Sequence, residues 1–158
     1  MKKGISLIET LVVVAVLAIV GVLVTQSIAL SLQGTQKSAS QVHARENLNY
    51  ALGIIERQIR NADSITSNCS GNFVTEVDYK DQNGTPTSFS CPGDGTIASG
   101  SATLTSSTVQ VTNCSFKCTT SSNGNQSVSI NLTVQDASAT GIEGAVVSAS
   151  TQINLMNY

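Results

Sequence analysis

The chain begins MKKGISLIETLVVVAVLAIVGVLV (residues 1–24), and this stretch decides the fold class of the whole protein. From residue 5 to residue 24 nearly every side chain is apolar, and twenty helical residues span about 30 Å, the thickness of a bilayer's hydrocarbon core. The run is rich in β-branched residues, which disfavour an isolated helix in water. In lipid, however, the backbone must satisfy its own hydrogen bonds, so we predict a membrane helix over residues 5–32.

Two basic residues precede the apolar run, and a single acid lies within it. Lys2 and Lys3 predict a cytoplasmic N-terminus by the positive-inside rule. A secretory signal peptide has an apolar core of roughly 7–15 residues and then a cleavage site, whereas this run is longer and continues as a helix. An ordinary single-pass anchor explains the length but not Glu9, because a carboxylate at a helix centre in hydrocarbon costs about 2.5–3.5 kcal/mol on insertion scales.

A second helical pattern follows the apolar run. Apolar residues recur three or four positions apart, as on one face of an amphipathic helix, at Leu48, Leu52, Ile55, Ile59 and Ala62. Ala44 and Ala51 flank this stripe, and Glu56 and Arg60 form an i,i+4 pair in the favourable order. Because no proline interrupts the first 85 residues, we expect residues 33–64 to continue the apolar helix without a break.

Beyond the helix the hydrophobic period changes from 3.6 to two, which indicates half-buried strands. Four stretches alternate in this way: residues 73–79, 108–116, 127–134 and 146–155. Short loops rich in glycine and asparagine separate them, as in an antiparallel meander. We therefore predict a Ser/Thr-rich antiparallel β domain over residues 65–158 that packs on the amphipathic helix, an α+β fold.

Composition argues against several classes of function. Only 11% of residues are charged, there is no Trp, and the part after Asp63 carries six acids against two lysines, so no basic stripe suits nucleic acid. The single His43 lies in the helix without a nucleophile and an orienting acid, so we expect no enzyme and no cofactor. Glu76, Asp78 and Asp81 lack the regular spacing of a Ca²⁺ loop, and we interpret them as solvated surface rather than a calcium site.

Four cysteines, Cys69, Cys91, Cys114 and Cys118, lie in the predicted β domain. Cysteines in a polar domain outside the membrane favour disulfides over free thiols. A structural zinc site needs two close pairs, and only Cys114 and Cys118 are close enough to form half of one. Of the three possible connectivities we prefer local pairing, Cys69 with Cys91 and Cys114 with Cys118.

The segment KKGISLIET (residues 2–10), followed by an apolar helix, resembles the N-terminal signal of type IV pilins and type II secretion pseudopilins. ARENLNYALGIIERQIRNADSI (residues 44–65) is similar to the second half of the helix in minor, J-type pseudopilins. VVSASTQINLMN (residues 146–157) is similar to the final strand of such proteins, whereas residues 66–145 resemble nothing that we can name. The resemblance implies a pilin-like fold and a place in a filament.

The resemblance also assigns roles to residues near the N-terminus. In this family a basic leader ends in Gly, a hydrophobic residue follows, and a Glu stands fifth after the cut. By position, residues 1–4 are the leader, Gly4 is its last residue, Ile5 becomes the N-methylated N-terminus, and Glu9 is the acid of the motif. Glu9 would then face the Ile5 amine of a neighbouring subunit, because two charges in an apolar setting are tolerable only as a pair.

The partners that this resemblance implies are a prepilin peptidase, other pilin or pseudopilin subunits, the inner-membrane assembly platform and the membrane itself. The implied location is the bacterial cytoplasmic membrane, with a cytoplasmic N-terminus and the β domain outside, and then the filament. The rival hypothesis is a membrane-anchored adhesin or glycan-binding domain that does not polymerise. Such a protein would require neither Gly4 nor Glu9.

Overall fold

The computed structural model of the chain describes residues 7–137 and 144–156, and it confirms the predicted α+β class. Within these residues one long α-helix, α1, is followed by nine β-strands. The elements are α1 Leu7–Arg60, β1 Ser64–Ile65, β2 Ser70–Val74, β3 Glu76–Lys80, β4 Pro86–Ser90, β5 Ala98–Ser99, β6 Ala102–Thr103, β7 Val109–Thr120, β8 Gln126–Asp136 and β9 Val146–Asn154. The chain divides into two compact units between Gln36 and Lys37.

The second unit is built on the C-terminal part of α1, which buries one stripe of side chains. The buried helical residues are Ser40, Ala44, Leu48, Ala51, Ile55 and Ile59. Their spacing of three or four residues confirms the predicted helical periodicity. Leu52, which the sequence places in the stripe, is only half-buried at its margin, whereas Ala44 and Ala51 lie within it.

The helix ends at Arg60, where its last carbonyl groups find partners in the following turn. The backbone N–H groups of Asn61 and Ala62 donate to the carbonyl oxygens of Arg57 and Ile59 at 3.3 and 3.2 Å. Arg57 and Arg60 lie in the last turn, where positive charge suits the helix macrodipole. The predicted pair of Glu56 with Arg60 is present, but both side chains are exposed, so it adds only about 0.3–0.5 kcal/mol.

Nine strands form two antiparallel sheets in the described part of the chain. Sheet one has the order β1-β3-β4-β5-β6, and sheet two has the order β2-β7-β8-β9. The strands predicted over residues 108–116, 127–134 and 146–155 correspond to β7, β8 and β9. A turn at Gly124, whose φ is 82°, joins β7 to β8, so these three strands form the predicted meander.

The single strand predicted over residues 73–79 is wrong, because the chain changes sheets within it. Thr75 separates β2, which pairs with β7 in sheet two, from β3, which pairs with β4 in sheet one. The carbonyl of Thr75 accepts a hydrogen bond from the Cys91 N–H at 2.9 Å. The backbone just after β4 therefore holds this break in place. Phe73, Val77 and Tyr79 are an even number of residues apart, so the sequence suggests one strand although Phe73 and Val77 belong to different sheets.

One hydrophobic core joins the helix to both sheets. It contains the α1 stripe, Val77 and Phe89 from sheet one, and Phe116 and Ile130 from sheet two, all of them buried. Tyr79 stacks on Phe89 with ring centroids 5.1 Å apart and an angle of 13° between the rings. Because a sheet is stable only when its apolar face is covered, the two sheets depend on the same helix.

Two disulfides are present, as predicted, but the preferred pairing is wrong. Cys69 is bonded to Cys118 with Cα atoms 4.5 Å apart, and Cys91 is bonded to Cys114 with Cα atoms 6.0 Å apart. Cys114 and Cys118 lie four residues apart on β7, and an extended strand separates them by about 13 Å. A disulfide requires Cα atoms within about 7 Å, so local pairing on this strand is impossible.

Two phenylalanines provide a matched test of the core. Phe116→Ala should lower the free energy of unfolding by about 3–5 kcal/mol, because Phe116 is fully buried and its truncation leaves a cavity. Phe73→Ala should lower it by less than about 1 kcal/mol, because Phe73 is 60% exposed and lies under the Lys117 ammonium on the surface of sheet two. Urea unfolding of a fragment of residues 37–158, followed by circular dichroism, measures both. Equal losses of stability in the two variants would contradict the burial of Phe116 in the core.

The disulfide pairing can be tested by removing each bond separately. By loop-closure entropy, Cys69→Ser with Cys118→Ser should lower the free energy of unfolding by about 4 kcal/mol, since the bond closes a loop of 49 residues. Cys91→Ser with Cys114→Ser, which opens a loop of 23 residues, should lower it by about 3 kcal/mol. Peptide mapping of the oxidised protein without reductant checks the pairing directly. A peptide that links Cys69 to Cys91 would refute it.

Candidate functional site

The first part of α1 is the most unusual feature of the described chain. Its large apolar side chains are 49–82% exposed, from Leu7 at 82% to Leu32 at 59%. They lie on all sides of the helix, so no face is polar enough to prefer water. In the part of the chain that the structure describes, α1 is the one helix long and apolar enough to cross a membrane.

The threonine hydroxyl groups of this segment donate hydrogen bonds to carbonyl groups of the helix itself. The Thr10 hydroxyl donates to the Leu7 carbonyl at 2.8 Å, and the Thr25 hydroxyl lies within 3.0 Å of the Gly21 and Val22 carbonyls. Such bonds let a threonine lie in an apolar environment without an unpaired donor. The polar side chains Thr10 and Thr25 are therefore compatible with lipid or with a surface formed by other helices.

The negative charge of Glu9 cannot be neutralised by hydrogen bonds within the helix. It is exposed in the first turn of α1 as the structure describes it, and it is the single charged residue between residues 7 and 32. A carboxylate near a helix N-terminus gains from the macrodipole, but only by about 0.3–1 kcal/mol. Among the described residues no ion pair includes Glu9. In an apolar environment such a charge is tolerated only when it is paired.

The two residues that the sequence assigns to processing, Gly4 and Ile5, lie outside the described residues. The structure therefore describes Glu9 on the helix, whereas the predicted cleavage site remains a prediction. The four cysteines, by contrast, have a structural role in the β domain. Cys91 follows β4 of sheet one and Cys114 lies on β7 of sheet two, so one of the disulfides links the sheets.

A polar groove of about 620 Å³ lies between the end of α1 and sheet one. Nine of its lining residues carry hydrogen-bonding side chains: Arg57, Gln58, Asn61, Tyr79, Asp81, Gln82, Thr85, Thr87 and Ser99. At its base the Tyr79 hydroxyl donates to Gln58 Oε1 at 2.6 Å. Burial raises the pKa of Tyr79 more than the nearby hydroxyls of Thr87 and Ser99 lower it, so Tyr79 is a neutral donor at physiological pH. Sequence patterns did not indicate this groove.

The acids considered for calcium binding are used in turns and strand contacts. Asp81 Oδ1 accepts the N–H groups of Asn83 and Thr85, both at 2.8 Å, and so shapes the turn between β3 and β4. Asp78 accepts the Ser67 hydroxyl at 3.3 Å, and Glu76 is exposed on β3. Within residues 7–137 and 144–156, no three His, Cys, Asp or Glu side chains are grouped so that they could hold a metal ion.

Comparison with protein-family models, with curated proteins and with solved structures finds no match for this chain. Function must therefore be inferred from the residues of the chain itself, above all from the apolar segment that carries Glu9.

Proposed function

We propose that this chain is a structural subunit, a minor pilin or pseudopilin, of a type IV pilus or a type II secretion-like filament. It is made as a precursor that a prepilin peptidase cuts after Gly4. The observation that carries the proposal is Glu9, an exposed carboxylate on a helical segment that is otherwise apolar on all sides. The long helix followed by an antiparallel β domain agrees with the fold that the N-terminal signal implies.

The physical argument concerns what could neutralise Glu9. An unpaired charge in an apolar medium is strongly unfavourable, whereas an ion pair with good hydrogen bonds is tolerated. Cleavage after Gly4 creates an α-amine on Ile5, a new cation four positions before Glu9 in sequence. In a bundle of such helices, Glu9 of one subunit pairs with the Ile5 amine of the next. The acid therefore disfavours the isolated subunit in lipid and favours the assembled one.

The proposal includes a location and a set of partners. The apolar segment inserts once in the bacterial cytoplasmic membrane, with Lys2 and Lys3 on the cytoplasmic side, and the β domain lies outside. The disulfides suit this placement, because disulfides persist in oxidising compartments outside the cytoplasm. Other pilin or pseudopilin subunits and an inner-membrane assembly platform are the partners, and the subunit then enters a filament.

A membrane-anchored adhesin or glycan-binding domain is the second candidate, and the groove at the end of α1 favours it. Amide, hydroxyl and carboxylate groups converge there, from residues such as Asn61, Thr85 and Asp81. Its volume is within the range of small-molecule sites, about 300–1,000 Å³. This function requires an anchor but not the carboxylate of Glu9, so substitution of Glu9 separates the two candidates.

The mature N-terminus gives the first test. We expect the intact mass of the protein from its own membranes to correspond to a chain that begins at Ile5 with one added methyl group. The reason is that the Gly4–Ile5 junction fits the cut site of the prepilin family. Gly4→Leu should block the cut and leave the full-length mass. A parent chain that keeps Met1, or that begins after residue 25, would contradict the proposal.

Glu9→Leu gives the second test. The variant should insert in the membrane as well as the parent does, because it loses a carboxylate that lipid disfavours. In the filament the Ile5 amine of the neighbour loses its partner, and breaking a buried pair from one side costs about 3–5 kcal/mol. That corresponds to a loss of affinity of about two to three and a half orders of magnitude for each contact. We expect the variant in the membrane fraction but not in sheared filaments.

Thr10→Val is the matched control for this test. It removes the neighbouring polar group of the same segment, but that hydroxyl is already bonded to the Leu7 carbonyl within the helix. We therefore expect Thr10→Val to enter filaments like the parent chain. Normal incorporation of Glu9→Leu would show that Glu9 is not the assembly contact, whereas absence of the parent chain itself from filaments would favour the anchored adhesin.

A further inference from the structure

The edges of the two sheets differ in how well they are protected. Natural proteins keep edge strands short or protect them with charges, prolines or bulges, because the unpaired backbone attracts another strand. Sheet one ends in β1 and β6, which have two residues each. Sheet two ends in β2, with five residues, and in β9, with nine. The sequence of β9, VVSASTQIN, contains neither a charged residue nor a proline.

Among residues 7–137 and 144–156, no strand pairs with the outer edge of β9. On its other side β9 pairs with β8. Along the strand, Ser148, Ser150 and Gln152 are exposed on the outer face, whereas Val147 and Ala149 on the inner face are only half-buried. An added strand would therefore gain backbone hydrogen bonds and would also cover apolar surface.

The direction of β9 restricts which strand can be added. The N–H of Ala145, just before β9, donates to the Ser40 hydroxyl at 3.2 Å, and the N–H of Met156, just after it, donates to the Arg60 carbonyl at 3.1 Å. Thus β9 runs in the same direction as residues 40–60 of α1. Antiparallel pairing of β9 with β9 of a second copy would reverse the direction of the second helix. The two apolar segments would then begin at opposite ends of the pair.

Pairing of β9 with β2 avoids this reversal. Each neighbouring pair in sheet two is antiparallel, so β2 runs opposite to β9. An antiparallel contact between β9 of one copy and β2 of the next therefore keeps both helices in the same direction and on the same face of the joined sheets. It also leaves both apolar segments at the same end, as two chains in one membrane require.

We propose that β9 of one subunit pairs with β2 of a second copy of this chain, so that sheet two continues from subunit to subunit. The inference rests on the proposed filament function. Such a contact joins two different surfaces, and heterologous contacts of this kind extend into rings or filaments rather than closing as dimers. Neither strand carries a charge, so no repulsion opposes the contact.

Side-chain faces limit the register of this pairing. On β2, Val74 points inward and is 39% exposed, while Phe73 points outward beside Lys117. Through the pairs of sheet two, Val74 lies at the level of Thr151. A neighbour without axial shift would place Val74 opposite Thr151, a shift of two residues would place it opposite Ala149, and a shift of four would place it opposite Val147. Any shift by one residue would bring opposite faces together.

Cysteine cross-linking of the full chain in its own membranes tests the contact. Val74→Cys is combined in one chain with Val147→Cys, Ala149→Cys or Thr151→Cys, and the filaments are oxidised and separated without reductant. Facing residues on paired strands have Cβ atoms about 4.5–5.5 Å apart, close enough for a disulfide after a small shift. We expect one of the three combinations to give a ladder of dimers, trimers and larger products that reductant removes.

Two controls use the same strands. Val74→Cys with Ser150→Cys places the second thiol on the outer face, so we expect the ladder to be lost. Each single substitution should leave the chain monomeric, because the opposing strand then has no added thiol. Dimers from a single Ala149→Cys or Thr151→Cys would show β9 paired with β9 and would overturn the proposal.

The outcomes also separate this interface from the proposed function. If the parent chain is cut and enters filaments but no inward combination gives a ladder, the β9–β2 contact is wrong and the filament function stands. If the parent chain is neither cut nor incorporated, the proposed function is wrong and this contact falls with it.

Discussion

Burial of one helical stripe by two sheets is the interaction on which the rest of the β domain depends. The stripe runs from Ser40 to Ile59 and includes Ala44 and Ala51, which are fully buried. Sheet one covers it with Val77 and Phe89, and sheet two with residues of β7, β8 and β9. Each sheet alone would expose an apolar face to water. The domain therefore requires the C-terminal part of α1, although the same helix begins as a segment unsuited to water.

The sequence predicts most of this arrangement, because two periods dominate it. A period of 3.6 marks the buried helical stripe, and a period of two marks β7, β8 and β9, which alternate over long stretches with a glycine turn between the first two. The change of sheet at Thr75 escapes prediction, since Phe73 in β2 keeps the even spacing of Val77 and Tyr79 in β3. The strand β4 escapes as well, because Phe89 is its one apolar residue besides Pro86.

Features that depend on distant parts of the chain are the ones that the sequence does not predict. The bond from Tyr79 to Gln58 joins residues 21 positions apart, and the groove around it exists only after sheet one meets the helix end. The disulfides depend in the same way on which strands become neighbours, since Cys118 lies opposite the segment before β2. Spacing along the chain favoured nearby cysteines, but the length of β7 holds two of them apart.

Glu9 and the edge of β9 present the same physical problem at opposite ends of the chain. Each is a polar group, a carboxylate or a row of backbone N–H and C=O groups, for which residues 7–137 and 144–156 supply no ion pair and no pairing strand. Proteins that act as monomers remove such groups or protect them, because they promote association. Here the carboxylate lies on an apolar segment, and the longest edge strand has neither charge nor proline. Under the proposed function a neighbouring copy supplies both partners, an amine for Glu9 and a strand for β9, and the two contacts require the same parallel orientation of subunits.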